Sequence, residues 1–307
     1  MKIDINRKNG GFTLVELMIV IVILALLAGM TTLGTRVAIK ASKESAVRLQ
    51  IEQLSMALDK YKNEIGEYPP DFTDPFAVMR HVKKRWPRSP YGTGYADWLL
   101  FCEHAQTASN GSWNIDFFSN DEPLGPVAAL VFWLGGLPDA TGKPSGFFLS
   151  PTDPLGIEPT TADQREEPRF DFAPDTVVME GSVPAFVPRK DGKPIVYFLA
   201  TGNDENAYCY QQYVNDVPTE EYYPKIARFS GELGITVPYA KTTGVWYEPN
   251  RFQLIHPGQD GIFNELKTDE ETIRVVDIKQ GMTGADDDNI VNFAEGATLD
   301  SEYKKSE

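Results

Sequence analysis

The sequence predicts an α+β protein: a long N-terminal α-helix, transmembrane in its first part and amphipathic in its second, packed on a small antiparallel β-sheet. A helical and loop-rich insertion separates the two. Three observations carry that prediction. An uncharged apolar run, Leu17 to Met30, leads without a proline into an amphipathic stretch that reaches Ile65. Strand-like runs gather only late, from Asp191 onward. The 22 prolines and 25 glycines interrupt the rest too often for an all-helical head.

The N-terminal helix comes first. A polar segment with Lys2, Arg7 and Lys8 against Asp4 ends at Gly10-Gly11. From Phe12 to about Gly34 the chain is long enough, at about 1.5 Å per residue, to cross a bilayer core of about 30 Å. An ordinary secretory signal is cut after its apolar part. Here the flexible dipeptide lies before it, so cutting after Gly11 would keep the membrane helix on the mature chain. Glu16 would then stand one helical turn from a new ammonium at Phe12. A carboxylate is costly in lipid and calls for a cation, on its own chain or on a neighbour.

Beyond the anchor, Val47, Ile51, Leu54, Leu58, Tyr61 and Ile65 alternate spacings of four and three, which is one apolar stripe on a helix. Arg48, Glu52, Asp59 and Lys62 take the other side. Gly66 is placed to end the helix before Pro69. A continuous helix from Phe12 to Ile65 would be roughly 80 Å long.

The chain then divides into a variable insertion at 67–188, a sheet with an acidic loop at 189–293, and a polar tail at 294–307. Within the insertion, Leu124 to Leu137 is apolar but too short to span a membrane, and reads as a buried helix ending at Gly135-Gly136. A basic, aromatic patch from His81 to Tyr91 reads as a local solvated surface. Asp191-Gly192 signals a turn into the β-run Pro194 to Leu199, and Arg251 to Ile255 is a second strand. Residues 202–247 are turn-rich and aromatic, and read as an extension or decoration of that sheet.

Composition bounds the function. Setting aside leader and anchor leaves roughly 270 residues, enough for a real core. The net charge of −15 argues against nucleic acid as a partner, which wants a basic face. Cys102 and Cys209 are far apart, without CxxC spacing; in an oxidising compartment they can pair, but two cysteines are not a disulfide framework. The three histidines have no zinc-ligand spacing. Gly-x-Ser-x-Gly, HExxH and Walker A motifs are absent, so no enzyme activity is expected.

Gly11-Phe12-Thr13-Leu14-Val15-Glu16 before an apolar helix resembles the class III signal of type IV pilins and type II secretion pseudopilins. Gly66-Glu67-Tyr68-Pro69-Pro70 is similar to the turn after the long helix of major pseudopilins, and the Gly192 to Leu199 segment to the opening of their sheet, although Ile195 replaces an aromatic. The resemblance implies a type IV pilin-like fold, cleavage after Gly11 by a prepilin peptidase, methylation of Phe12, and docking of subunits through Phe12 and Glu16. It implies residence in the bacterial inner membrane with a periplasmic head, then assembly of copies with minor pseudopilins into a pseudopilus driving type II secretion. An inner-membrane assembly platform and its ATPase would supply the energy. A type IV pilin for adhesion or motility, and a membrane-tethered enzyme or binding module, are the rival readings.

His256-Pro257-Gly258-Gln259-Asp260-Gly261, followed by Asp286-Asp287-Asp288-Asn289-Ile290, resembles the calcium-binding loop of major pseudopilins, with a longer intervening segment. The resemblance implies calcium near Asp260, Asp286, Asp287 and Asp288. Calcium takes six to eight hard oxygen ligands, which carboxylates and loop carbonyls supply. A merely solvated acidic loop is the other reading of these residues.

Overall fold

The computed structural model describes residues 12–109, 113, 125–158, 164–173, 175–181, 183–189, 192–201, 204–229, 233–242, 244–263, 276–277, 286, 288–294 and 298–299, with backbone alone at 28–37, 204, 210, 221, 224, 228, 276 and 277. The chain forms two compact units, Met1–Ser45 and Ala46–Glu307. Helix α1 (Leu14–Ile65) begins in the first and ends in the second.

In the first unit the apolar side chains from Leu14 to Leu27 are exposed on every side of the helix. Such a surface has no aqueous resting place and calls for lipid or other helices. Among the described residues no helix is long and apolar enough to cross a membrane. The anchor expected at 12–34 includes side chains at 28–34 that lie outside the described residues, as does the whole leader through Gly11.

In the second unit the predicted stripe is the core face of α1: Val47, Ile51, Leu54, Leu58 and Tyr61 are buried, and Ile65 packs at its edge. Gly66 closes the helix with φ +91°, its N–H donating to the Lys62 carbonyl at 2.7 Å. A residue with a Cβ is strained there, which is why a glycine ends the helix cleanly.

The insertion contributes α2 (Pro75–Arg85), α3 (Tyr95–Ala108) and α4 (Gly125–Leu130). Asp74 caps α2, its Oδ1 accepting the Phe76 and Ala77 N–H groups at 2.8 and 3.2 Å. Helix α4 runs into a π-helical turn, Val131–Gly135, and every residue of both is buried. The apolar run read in the sequence is therefore a buried helix ended by Gly136 at φ +75°. Its Phe132 and Trp133 meet Phe72, Trp86, Phe101 and Phe147 in one aromatic cluster.

Strands β1 (Val177–Glu180) and β2 (Val183–Phe186) form a hairpin. The central sheet has the order β12 (Ile290–Val291), β10 (Phe252–His256), β3 (Val196–Leu199), all antiparallel. Both predicted strands are thus neighbours, Val196 opposite Ile255 and Leu199 opposite Phe252. The stretch between them differs from a simple extension. It makes separate small sheets: β4 (Cys209–Val214) with β5 (Val217–Pro224), β6 (Ala227–Arg228) with β7 (Ile235–Thr236), and β8 (Tyr239–Thr242) between β9 (Val245–Trp246) and a parallel β11 (Val276–Asp277). Short strands between tight turns cannot sustain one continuous ladder.

The end of α1 is locked to this sheet. The Tyr197 hydroxyl donates to the Pro69 carbonyl at 2.7 Å, Arg251 reaches Asp59 at 2.9 Å, and Tyr68 meets Phe252 edge-on. Deeper still, Lys225 Nζ lies 2.8 Å from Asp71 Oδ2 with both side chains buried. Lys225 also donates to the Leu199 carbonyl at 2.6 Å. Asp71 accepts the Leu199 N–H and the backbone and hydroxyl of Thr73. A buried pair broken on one side leaves an uncompensated charge, typically at a cost of about 3–5 kcal/mol. Lys225→Met should therefore lower stability by about that amount in urea unfolding followed by tryptophan fluorescence. Adding Asp71→Leu should recover part of the loss.

Candidate functional site

Two regions hold the residues singled out by sequence. The first is the start of α1. Thr13 is its N-cap: its N–H and hydroxyl both donate to Glu16 Oε2, at 2.9 and 2.8 Å, while its hydroxyl oxygen accepts the Glu16 N–H at 3.2 Å. This reciprocal pattern, a threonine with a glutamate three residues on, is a capping box. Within the single chain Glu16 is held by Thr13, and Phe12 beside it is exposed. Gly11 lies outside the described residues.

The second is the turn after β10. Asp288 Oδ2 accepts the N–H groups of Gln259 and Asp260 at 2.6 and 3.1 Å, so one carboxylate holds the turn from across the loop. Gly258 is required there: its φ is +58°, and a Cβ would collide with Asp288. Asp260 is exposed, accepts the Ile262 N–H at 2.9 Å, and has its carboxyl raised by partial burial and by the Asp288 charge. The structure therefore brings Asp260 and Asp288 together. Asp286 turns inward instead, accepting the Tyr239 hydroxyl and the Asn289 side-chain amide at 2.9 and 2.8 Å. Asp287 lies outside the described residues.

Calcium wants several hard oxygens. Asp288 Oδ1 and Asn289 Oδ1 are buried oxygens of that kind with no hydrogen-bond donor. Among the described residues, however, no group of three or more His, Cys, Asp or Glu is placed to hold a metal. The donor chemistry fits a cation at Asp288, Asn289 and Asp260, with Asp286 beside them already bonded through Oδ1 to Tyr239 and Asn289.

Elsewhere, Cys102 on α3 and Cys209 at the start of β4 are not bridged to each other. The two belong to separate pairings, α3 packing on α2 and β4 on β5. The basic patch is largely absorbed by internal contacts. Arg85 is buried, paired with Glu166 and stacked on Trp86 and Phe147, and Lys84 pairs with Glu67.

Sequence reasoning missed the polar chain inside this patch. His81 is buried, with Nδ1 2.6 Å from Glu67 and Nε2 2.7 Å from the Tyr61 hydroxyl, which also accepts from Arg85 at 3.0 Å. Burial holds the His81 ring below its ordinary range, against the pull of the Glu67 carboxylate. The His81 and Lys84 hydrogen bonds hold the Glu67 carboxyl at about 2, while burial lifts the Tyr61 phenol to about 12. A histidine two residues before the basic run Lys83 to Trp86 carries no linear signal of such a network. Its four partners come from α1, α2 and the turn between them.

The comparisons bear on the first region. Residues 6–32 match the family model of the prokaryotic N-terminal methylation motif. That is the class III signal. It makes the N-terminus type IV pilin-like and points to membrane anchoring with extracytoplasmic exposure. No curated protein and no solved structure matches the chain.

The two buried histidines set a pH dependence. Burial lowers the His256 ring to about 4, and His81 moves the same way. As pH falls from about 6.5 to 4 the unfolded chain takes up protons that the folded chain refuses, so stability falls. Glu67 adds to the loss below about pH 4.5, as pH drops toward its folded value of about 2. His256→Gln should flatten the slope between pH 7 and 4, removing up to about 3 kcal/mol of dependence, read from urea midpoints across that range.

Proposed function

We propose that this chain is a structural subunit of an extracytoplasmic helical filament, the pseudopilus of a type II secretion system. The observation that carries the reading is the methylation motif at 6–32 placed directly on a 52-residue helix. The apolar first part of that helix is exposed on all sides, and the second part buries a stripe in a head. A helix with these two kinds of surface suits a subunit that waits in the inner membrane and then packs its helix among others. A prepilin peptidase would cut after Gly11 and methylate Phe12. The assembly platform, its ATPase, minor pseudopilins and further copies would be the partners.

In the filament the Phe12 ammonium of an incoming copy would meet Glu16 of its neighbour. Glu16 would then exchange its Thr13 capping contacts for a charge, a trade tolerable only where water is excluded. Mass spectrometry of the mature protein should find a methylated Phe12 at the N-terminus, and a bulky residue at Gly11 should leave uncut precursor. Glu16→Ala should keep cleavage and membrane insertion but abolish fibres under electron microscopy. An N-terminus at Met1 in a host with the peptidase would refute the processing, and normal Glu16→Ala fibres would refute the docking. A deletion strain that loses secretion but keeps surface pili would separate the secretion reading from that of a type IV pilin.

The acidic loop is part of the same reading, with calcium held near Asp260, Asp286, Asp287 and Asp288. A ligand that binds only the folded state stabilises it by about 2.7 kcal/mol at a hundredfold excess over Kd. Melting should therefore rise in calcium against chelator, the difference shrinking in Asp288→Ala, with magnesium a poor substitute.

A further inference from the structure

The head carries an exposed knob and an exposed groove that the filament reading does not yet use. The knob is the tip of the β4–β5 hairpin. Asn215 and Asp216 both adopt positive φ, 49° and 63°, giving the tight two-residue turn of a twisted hairpin. The turn leaves Val214 and Val217, which face each other across it, 53% and 62% exposed. The opposite face of the hairpin is occupied within the chain, where Tyr213 stacks on Phe76 at 3.8 Å. From Cys209 to Pro224 the hairpin carries Asp216, Glu220 and Glu221 and no lysine or arginine.

The groove, of about 490 Å³, runs beside the second half of α1. Met56, Ala57, Phe170, Ala173 and Phe186 give it an apolar wall; of its charged residues, Asp171 is paired with Lys143 and Arg169 with Glu64, both at 2.9 Å, and Lys60 stands at its edge. Met56 is 58% exposed. The Lys60 side chain is 66% exposed and reaches Glu64 only at 4.0 Å, a contact too loose to neutralise it.

We propose that the hairpin tip of one copy seats in the α1 groove of the next, Val214 and Val217 against the apolar wall and the acidic hairpin toward Lys60. Two chains of net charge −15 repel one another, and a basic point on one facing an acidic point on the other offsets that repulsion locally, as this pairing does. Because knob and groove are different patches, the contact is head-to-tail. Repetition of such a contact builds an open helical array wherever its rotation does not close into a ring, whereas a two-fold contact stops at a dimer. The inference rests on the filament reading and names the head surface through which a second copy is recognised.

Cysteine cross-linking tests it in the full-length chain, with Cys102 and Cys209 replaced by serine. One tagged copy carries Val217→Cys, a second carries Ala173→Cys, and the two are co-expressed and oxidised. Disulfide-linked pairs should form between the two variants, and Lys60→Glu on the groove copy should reduce their yield. Cross-links of the Val217→Cys copy with itself would mark a two-fold contact and overturn the proposal. Fibres seen by electron microscopy without any mixed cross-link would overturn it while leaving the filament reading intact. Absence of fibres in the unsubstituted chain would remove that reading, and this contact with it.

Discussion

The head is organised around the Asp71 carboxylate. It lies just past the end of α1 and takes the Lys225 ammonium, the Leu199 N–H and both donors of Thr73. Lys225 in turn satisfies the Leu199 carbonyl, so the end of β3 is held by both charges. Burying two ions is costly, and it is tolerated because the remaining hydrogen-bonding capacity is largely filled. What the pair secures is specificity of place. The turn after the long helix, the edge of the central sheet and the chain leaving β5 have one arrangement in which no charge is stranded.

That fixed point lets one helix serve two environments. Up to Leu27 the described side chains of α1 offer apolar surface in every direction. From Val47 the apolar residues narrow to a stripe, which the aromatic insertion and the sheet cover. The capping box at Thr13 and Glu16 starts the helix inside the segment that matches the methylation motif.

The acidic loop follows the same economy of charge. Asp288 closes the 258–261 turn through two amides, and Asp286 is bound by Tyr239 and Asn289. Two neighbouring carboxylates thus take different roles: Asp288 braces a turn and Asp286 enters the core.

The long helix, its apolar stripe, its glycine stop, the buried run ended by Gly136 and the two main strands were all legible in the sequence. Each rests on a local pattern: a period of 3.6 or of 2, or a glycine with positive φ, which neighbouring residues dictate among themselves. The methylation motif was legible for the same reason, since a peptidase reads a contiguous segment. Only the tertiary structure decided that Lys225 meets Asp71, that His81 sits between Tyr61 and Glu67, and that Asp286 and Asp288 take different roles. It also decided that residues 202–247 break into separate small sheets. Those pairings join residues as many as 154 apart, where no periodicity reaches. Burial, not sequence spacing, selects the partner of a buried charge, because a buried polar group must find one wherever the fold brings it.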